Sequence, residues 1–504
     1  MNRLVAALLL ALGLCASPPA MAQSFRIEGV AVEPSAYLHP DVIADVTGKY
    51  VKRPITFADL QQMIAEINGL YAAAGVPTAQ AVLPPQVVSD GILKVSLVEA
   101  EIEEVEFVGL RNTSERFLRR NISLPAGAKP DYDRIERDLQ VFDIAHDISP
   151  RLSFGPGRAV GTTRAIVTAE EPKRFSITAS VDNFGRPETG EARATLFGRW
   201  SSVTGVRDTL SFQLQASQGA KSASLGYSRP VGTGGGRVVA TLSFAQSAII
   251  GGEFTPVSIV SDSLGGSLSY RRPAWVRPDR YWLLEGGVTF DSTESTIDGL
   301  TFADVRLWDA FLTARYNRRY DRAILGFSAG LRIGQAEALG TSETEGSYWL
   351  IYGEGTYARP INDRFMFNGA LRYQYAHGQN LPVARLFTVG GVGTLRGYPN
   401  DIRAGDSGVL VNLQVSTRKP ITPRTMPRWK ISPFAFVDAA LVVPYRVDGG
   451  IDGEQDLLAS FGAGASVAVG KANVLAVVGV PIKDTLGFDE AGKPRFYLGL
   501  DYSF

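Results

Sequence analysis

The chain has 504 residues, which is too long for one ordinary compact domain, so two or three domains are expected unless one part is a large barrel. Its 51 basic and 51 acidic residues give a formal net charge of zero, which argues against nucleic acid or a polybasic membrane patch as a partner. The 53 glycines exceed the usual share of about 7%, and aromatic residues make up 10% of the chain. This composition favours β-strands and turns.

The first 22 residues have the pattern of a secretory signal peptide. Arg3 precedes an apolar run from Leu4 to Leu14, and Ala20-Met21-Ala22 supplies the small residues of a cleavage site. We expect cleavage after Ala22, because the apolar run is shorter than the roughly 20 residues of a spanning helix. A lipoprotein anchor at Cys15 is an alternative, but a leucine stands before it where a small residue is normally required.

The sequence carries no pattern of a catalytic, metal or cofactor site. No cysteine remains after cleavage, and the three histidines, His39, His146 and His377, lie far apart. No phosphate loop, zinc signature or dinucleotide fingerprint is found. Gly405-Asp406-Ser407-Gly408 is similar to part of a serine protease motif, but no histidine and aspartate with a matching context accompany it. We therefore expect no catalytic residues, no metal, no cofactor and no enzyme activity.

Two small α+β domains are predicted before residue 172. In residues 23–100 the order is strand, two helices and two strands, and Thr56 with Asp59 forms a capping box at the start of the second helix. The apolar residues of that helix share one face and are Leu60, Met63, Ile64, Ile67, Leu70 and Tyr71. Gly75 ends the helix. Residues 101–171 repeat the order, with strands at 105–108, 151–154 and 164–168 and helices after Ser114 and from Tyr132 to Ile144.

From residue 172 to the end, helical periodicity largely disappears and alternation of apolar and polar residues takes over, although the segments between 236 and 330 are harder to delimit. The alternation is clear in residues 174–183 and 209–216 and in the last ten residues. A soluble sandwich also alternates, but a signal peptide, the absence of a second apolar run and an aromatic last strand favour a closed barrel with an apolar face to lipid and a polar face to a wet lumen. The predicted fold is therefore α+β domains followed by an all-β transmembrane barrel of about 16 antiparallel strands.

The barrel region contains one long loop, predicted at residues 376–408. Six glycines and two prolines between Leu381 and Gly408 predict sharp reversals without regular helix or sheet. Loops of this length are usually functional or disordered. At its middle, Arg396 and Tyr398 flank Gly397 and predict a tip that reaches another part of the molecule.

The loop resembles the conserved loop of the two-partner secretion transporters, the TpsB or ShlB/FhaC/HecB family of the outer-membrane assembly superfamily. In that family the loop folds back inside a barrel. The matching residues are Leu381, Pro382, Gly390, Gly391, Leu395, Arg396, Gly397, Tyr398, Gly405, Asp406 and Gly408, with Leu395 in place of the commoner valine.

A second resemblance lies in residues 433–440, PFAFVDAA, which are similar to the family's F-x-D-x-G strand. Phe436 and Asp438 match it, while Ala440 stands where glycine is usual. Asp438 must face the lumen, because a charge that faces lipid costs about 2 to 4 kcal/mol near the midplane. We predict that Arg396 pairs with Asp438, that Tyr398 and Phe436 pack beside them, and that water screens the pair to about 1 kcal/mol.

The two α+β domains resemble the polypeptide-transport-associated (POTRA) domains of the same family. The first match rests on Tyr71, Gly75, the LPPQ run 83–86 and the DGIL run 90–93; the weaker second match rests on Pro125 and Gly127. The resemblance implies that a sheet edge accepts an extended client by strand addition, while generic spacer domains are the alternative. Residues 182–190 resemble the family's first hairpin, which turn chemistry alone explains.

The resemblance implies an outer-membrane pore that recognises an unfolded exoprotein through periplasmic POTRA domains and moves it to the cell surface. The expected partners are a large hemolysin- or adhesin-like exoprotein with an amino-terminal secretion domain, outer-membrane lipids and the barrel assembly machinery, which would recognise the terminal Phe504. A barrel-assembly or insertion factor is the alternative, and a passive porin a weaker one. The sequence leaves no room for an amino-terminal plug helix, so we expect the loop and the POTRA domains to close the pore.

Overall fold

The computed structural model describes residues 24–88, 90–251, 257–340, 345–376, 380–444, 455–485 and 487–504. The predicted signal peptide, its cleavage site and His377 lie outside the described residues. By its internal packing the described chain forms two units. One contains residues up to 108, 123–136 and 151–168, and the other contains residues 109–122, 137–150 and 169–504.

The part before residue 170 mixes short strands with helices. Its elements are β1 (Phe25–Arg26), β2 (Gly29–Val32), α1 (Pro40–Gly48), β3 (Pro54–Ile55), α2 (Phe57–Ala73), β4 (Ala79–Val82), β5 (Ile92–Glu99), β6 (Glu101–Val108), α3 (Glu115–Asn121), α4 (Tyr132–Ala145), β7 (Arg151–Pro156) and β8 (Thr162–Thr168). The two sheets have the orders β2-β5-β4 and β6-β8-β7, each with one parallel and one antiparallel pairing. The two-residue pair β1–β3 was not predicted, because two residues carry no periodicity.

The capping box that opens α2 is confirmed. Thr56 Oγ1 accepts a hydrogen bond from the Asp59 backbone nitrogen, and the Asp59 carboxylate accepts one from the Thr56 backbone nitrogen at 2.7 Å. The predicted apolar face of α2 packs into the core of the first sheet, with Leu60, Met63, Ile67 and Tyr71 buried and Ile64 and Leu70 partly buried.

A buried carboxylate joins the first sheet to the segment that follows it. The Glu99 side chain is 2% exposed and accepts hydrogen bonds from Lys129 Nζ at 2.8 Å, Tyr71 Oη at 2.8 Å and the Ala36 backbone nitrogen at 3.0 Å. Burial opposes ionisation, but the hydrogen bonds from Lys129, Ser35 and Ala36 outweigh it and hold the pKa of Glu99 below its usual value. Glu99 is therefore a charged, satisfied structural group.

The rest of the chain forms a closed barrel of 16 antiparallel strands, as predicted. They are β9 (Phe175–Asp182), β10 (Arg193–Ser201), β11 (Thr209–Ala216), β12 (Ala220–Pro230), β13 (Arg237–Ala248), β14 (Ile259–Arg277), β15 (Arg280–Ile297), β16 (Leu300–Tyr320), β17 (Ala323–Gly340), β18 (Gly346–Pro360) and β19 (Phe365–Tyr375), then, after two short loop strands β20 (Phe387–Val389) and β21 (Arg403–Gly405), β22 (Ser407–Thr417), β23 (Trp429–Val443), β24 (Asp456–Val469), β25 (Ala472–Pro481) and β26 (Arg495–Ser503).

The barrel closes by pairing β26 with β9. Phe496 and Leu498 on β26 and Phe504 directly after it are more than half exposed, whereas Tyr497 is 7% exposed and faces inward. This is the alternation that the sequence predicts for a wall between lipid and lumen. No helix within the described ranges is both long enough and apolar enough to cross a bilayer.

The loop between β19 and β22 is more ordered than predicted. The expectation that it contains no regular sheet is wrong, because β20 and β21 form a three-residue antiparallel ladder, and Val383–Arg385 form a 3-10 turn. Phe387 and Val389 are buried against the wall residue Leu410, so their backbone groups leave water and must pair within the protein. The predicted boundary also moves, since β22 already begins at Ser407.

Candidate functional site

The tip of the loop is fixed to the barrel wall by an arginine and an aspartate. Arg396 Nε donates to Asp438 Oδ2 at 2.8 Å and Arg396 Nη2 donates to Oδ1 at 2.7 Å, so the two groups meet as a bidentate pair. The Arg396 backbone nitrogen also donates to Asp438 at 3.1 Å, and Nη1 donates to Gln414 Oε1 at 2.8 Å. The guanidinium carbon lies 3.6 Å from the centre of the Phe436 ring. Loop and wall therefore meet as the sequence predicts.

The burial of this pair differs from the expectation of a screened contact in a wet lumen. The Asp438 side chain has no exposed surface and the Arg396 side chain is 11% exposed. Around them Leu395, Tyr398 and Ala440 are almost fully buried in one apolar cluster. Screening by water, on which the prediction of about 1 kcal/mol depends, therefore does not apply here, and removal of one partner from a buried pair costs about 3 to 5 kcal/mol. The methyl group of Ala440 is accommodated by this cluster.

Gly397 lets the loop backbone touch the wall. Its φ is +101°, and a Cβ there would lie 2.9 Å from the Gly479 carbonyl carbon of β25. The reverse also holds, since a Cβ on Gly479 would lie 2.7 Å from the Gly397 nitrogen. The Gly397 nitrogen donates to Tyr497 Oη at 3.1 Å, and Tyr497 Oη donates to the Tyr398 carbonyl at 2.9 Å. The tip thus rests on β25 and β26 as well as on β23.

Tyr398 is buried and its hydroxyl lies 2.8 Å from the Lys483 carbonyl and 3.1 Å from the Ala459 carbonyl. Gly390 and Gly391 face the next part of the loop. A Cβ at Gly391 would lie 1.6 Å from the Asn400 side-chain oxygen, so no side chain fits there. All six predicted loop residues, from Gly390 to Tyr398, therefore lie in or beside the packed tip.

The first hairpin of the barrel has a contact that turn chemistry did not predict. Asn400 Nδ2 donates to the carbonyls of Phe184 and Gly185 at 2.6 and 2.8 Å, and Asp401 forms an ion pair with Arg186. The loop therefore touches both sides of the seam between β26 and β9.

The seam itself is short. β26 and β9 share five residue pairs, whereas each of the other pairings of the barrel has at least eight. Beyond them Asn183 continues the seam. Its backbone nitrogen donates to the Leu498 carbonyl at 3.2 Å, and its side chain accepts from the Leu498 nitrogen at 2.7 Å and donates to the Phe496 carbonyl at 2.9 Å. At the other end, the Phe504 nitrogen donates to the Ile177 carbonyl at 2.9 Å.

The residues of the apparent protease motif close the ends of the loop. Asp406 Oδ1 accepts from the Leu381 nitrogen at 2.5 Å. Ser407 Oγ accepts from the Ala376 nitrogen and donates to its carbonyl, both at 2.9 Å. These bonds account for both side chains structurally. Among the described residues there is also no group of three or more His, Cys, Asp or Glu side chains that could hold a metal ion.

A second arginine anchors the first part of the loop to a different sector of the barrel wall. The sequence analysis did not predict this contact. Arg385 donates to Asp309 of β16 at 2.6 and 2.9 Å and to Asp291 of β15 at 2.5 Å. Asp309 has no exposed side-chain surface and also pairs with Arg332 and accepts from Tyr348 Oη at 2.9 Å. The loop is thus fastened at two separate sectors of the barrel.

The comparison with protein families agrees with this geometry. The model of the haemolysin secretion/activation protein ShlB/FhaC/HecB family matches residues 161–467, which is more than half of the chain. The chain belongs to this family. A separate model, POTRA domain of the ShlB type, matches residues 25–100. Members of the family are two-partner secretion transporters, and their barrel lies in the outer membrane with the POTRA domains in the periplasm.

Individual relatives are distant. The heme/hemopexin transporter protein HuxB of Haemophilus influenzae is 28% identical over 192 residues, which are 37% of this chain and 34% of that protein, so the match spans about a third of the relative's length. The structure of CdiB from Escherichia coli has a TM-score of 0.72 at 16% identity and covers 98% of this chain and 93% of that one. BamA from Haemophilus ducreyi lacking POTRA domains 1–3 has a TM-score of 0.57 at 15% identity, over 96% of this chain and all of that one. These two structures show the fold alone.

Proposed function

We propose that this ShlB/FhaC/HecB family member is the outer-membrane pore for a large exoprotein, which its periplasmic POTRA domains receive unfolded and its barrel moves to the cell surface. The observation that carries the proposal is the loop fastened inside the lumen by Arg396 and Asp438. A long ordered segment fastened in the lumen obstructs free passage of solutes. A polypeptide conduit needs an obstruction that holds at rest and moves aside for the client.

The first POTRA domain supplies surfaces for client binding. Among the described residues its sheet has two edge strands, β2 and β4, and each pairs with β5 on one side. On the other side of β4 the Ala81 nitrogen already donates to Asn68 Oδ1 at 2.7 Å, whereas no such side-chain bond from a described residue lies on β2. Backbone groups on the free side of such a strand can pair with an extended peptide. The client class that we propose is a hemolysin- or adhesin-like exoprotein with an amino-terminal secretion domain, and Phe504 would act as the signal for the barrel assembly machinery.

The experiment is reconstitution of secretion. This chain is expressed in a host without it, together with a neighbouring gene for a large exoprotein with an amino-terminal secretion domain, and the exoprotein is measured at the cell surface and in the periplasm. We expect surface delivery only when both proteins are present. Loss of many unrelated barrels on deletion of this gene, with normal exoprotein delivery, would instead support an insertion factor. Unchanged delivery with only a loss of small-solute uptake would support a porin.

A further inference from the structure

The periplasmic end of the barrel lumen contains a cavity of about 430 Å³ that carries an unusual excess of positive charge. Its charged lining consists of Arg199, Arg207, Arg237, Arg271 and a single carboxylate, Asp147. Asp147 is already paired, with Arg207 Nε at 2.7 Å and Arg199 Nη2 at 3.4 Å. Four arginines against one carboxylate leave three positive charges uncompensated in the lining, and two of these arginines form no ion pair with any described residue.

Those two arginines are Arg237 and Arg271, which stand directly opposite each other on β13 and β14. On the other side of β14, Arg271 stands opposite Glu285 of β15 but forms no ion pair with it. Like charges in such cross-strand positions destabilise a sheet. Within the described part of the chain, neither side chain forms an ion pair within 4 Å. An anion between them would remove this repulsion.

Arg237 is held in place by neutral groups. Its side chain donates to Ser228 Oγ at 3.0 Å and to the carbonyls of Ala145 and Arg207 at 3.3 and 3.2 Å, and the residue is only 5% exposed. His146 lies 3.2 Å from it, and burial together with the Arg237 charge lowers the pKa of His146 to about 3. His146 is therefore neutral and accepts from Arg237, so neutral groups fix the position of the Arg237 guanidinium in the cavity wall.

We propose that this cavity binds an acidic segment of the polypeptide that enters the pore from the periplasm. The inference rests on the proposed secretion function, and it adds a chemical preference at the entrance. Pockets of about 300 to 1,000 Å³ accommodate a ligand larger than one small ion. The cavity is accessible to solvent, since the Arg199 side chain is 44% exposed. Carboxylates also match the planar fork of arginine.

The test measures binding of hexaglutamate with an uncharged fluorescent label to the full-length mature protein, folded in detergent, by fluorescence anisotropy. Arg271→Gln is the informative variant, because it removes a half-buried charge that makes no ion pair. Arg272→Gln is the matched control, since the next residue on β14 faces outward and the change in charge is the same. We expect Arg271→Gln to weaken binding about fivefold, as for one partly exposed ion pair, and Arg272→Gln to leave it unchanged. Heat-modifiable migration on gels verifies that both barrels fold.

Any one of three results would overturn the inference. They are equal binding of hexalysine, equal affinity of the two variants for hexaglutamate, and complete displacement of hexaglutamate by inorganic phosphate at an equal or lower concentration. The last result would identify a small-anion site. This assay contains no client, so its outcome is separate from the secretion experiment. If hexaglutamate binding depends on Arg271 but the protein secretes nothing, the proposed function is refuted and the anion site stands. If secretion is normal but hexaglutamate does not bind, the anion site is refuted and the proposed function stands.

Discussion

The replacement Asp438→Asn tests how strongly the loop tip is held in the lumen. It keeps the shape of the side chain but leaves the Arg396 guanidinium in a buried site without its counter-charge. Two unit charges about 4 Å apart interact by about 4 kcal/mol at an effective dielectric constant of 20, which agrees with the 3 to 5 kcal/mol for breaking a buried pair. Because the loop can move toward water, we expect this cost to shift the loop from docked to displaced while the barrel remains folded.

Hydrogen exchange of the loop amides measures that shift directly. The Arg396 nitrogen donates to Asp438 and the Gly397 nitrogen to Tyr497, so both amides are protected only while the tip is docked. Since 1.4 kcal/mol corresponds to a factor of ten, exchange should accelerate by about 100-fold or more in Asp438→Asn. Asp262→Asn is the control, because within the described residues the Asp262 carboxylate accepts a hydrogen bond from Gln246 on the neighbouring strand and from no loop residue. An acceleration below about threefold, or the same effect in both variants, would refute the reasoning.

The charge swap Arg396→Asp with Asp438→Arg should recover part of the secretion that each single change loses, at equal barrel amounts. Full recovery is not expected, because the backbone nitrogen of residue 396 would then point at a cation and Phe436 would lose its guanidinium partner. Absence of any recovery would show that secretion does not depend on the pairing of residues 396 and 438.

Four further changes probe other contacts. Gly479→Ala places a methyl group against the Gly397 nitrogen and should loosen the tip, so the tip amides should exchange at least tenfold faster, whereas Gly355→Ala, which meets no atom closer than 3.6 Å, should not. Asp309→Asn should loosen the Arg385 segment of the loop, so hydrogen exchange should accelerate more at residues 383–389 than at the tip. The pKa of Glu99 is lowered in the folded state, so its contribution to stability is present above the ordinary glutamate pKa of about 4.5. This contribution is lost as the pH falls through the folded pKa. Glu99→Gln should abolish this pH dependence in unfolding curves measured at a series of pH values. Phe504→Ser should lower the amount of barrel in the membrane more than Leu498→Ser does, and equal effects would reduce Phe504 to ordinary packing.

Much of this architecture follows from local patterns in the sequence. Period-two alternation predicted the barrel, and the same alternation placed Asp438 on the lumenal face where Arg396 could meet it. The burial of the pair could not be predicted, because it depends on Leu395 and Tyr398 packing against residues such as Val442 and Leu458 that come from different strands.

The second anchor shows a different limit. Alternation places many aspartates on lumenal faces, and nothing local selects Asp309 as the partner of Arg385, 76 positions away. Tyr497 is similar, because the pattern of β26 turns it inward but does not indicate the loop backbone 99 residues earlier that its hydroxyl contacts. Contacts of this kind are set by the closure of the barrel, so the sequence pattern limits the candidates without choosing among them.

The short pairing between β26 and β9 has a mechanical consequence. When a ring of strands is stretched from within, every junction bears the same tension, and the junction with the fewest paired residues has the shortest ladder to resist it. In this barrel that junction is the one the loop bridges, through Tyr497 on one side and the carbonyls of Phe184 and Gly185 on the other. A polypeptide that displaces the loop would thus also remove the contacts that bridge β26 and β9, just when it pushes the barrel wall outward.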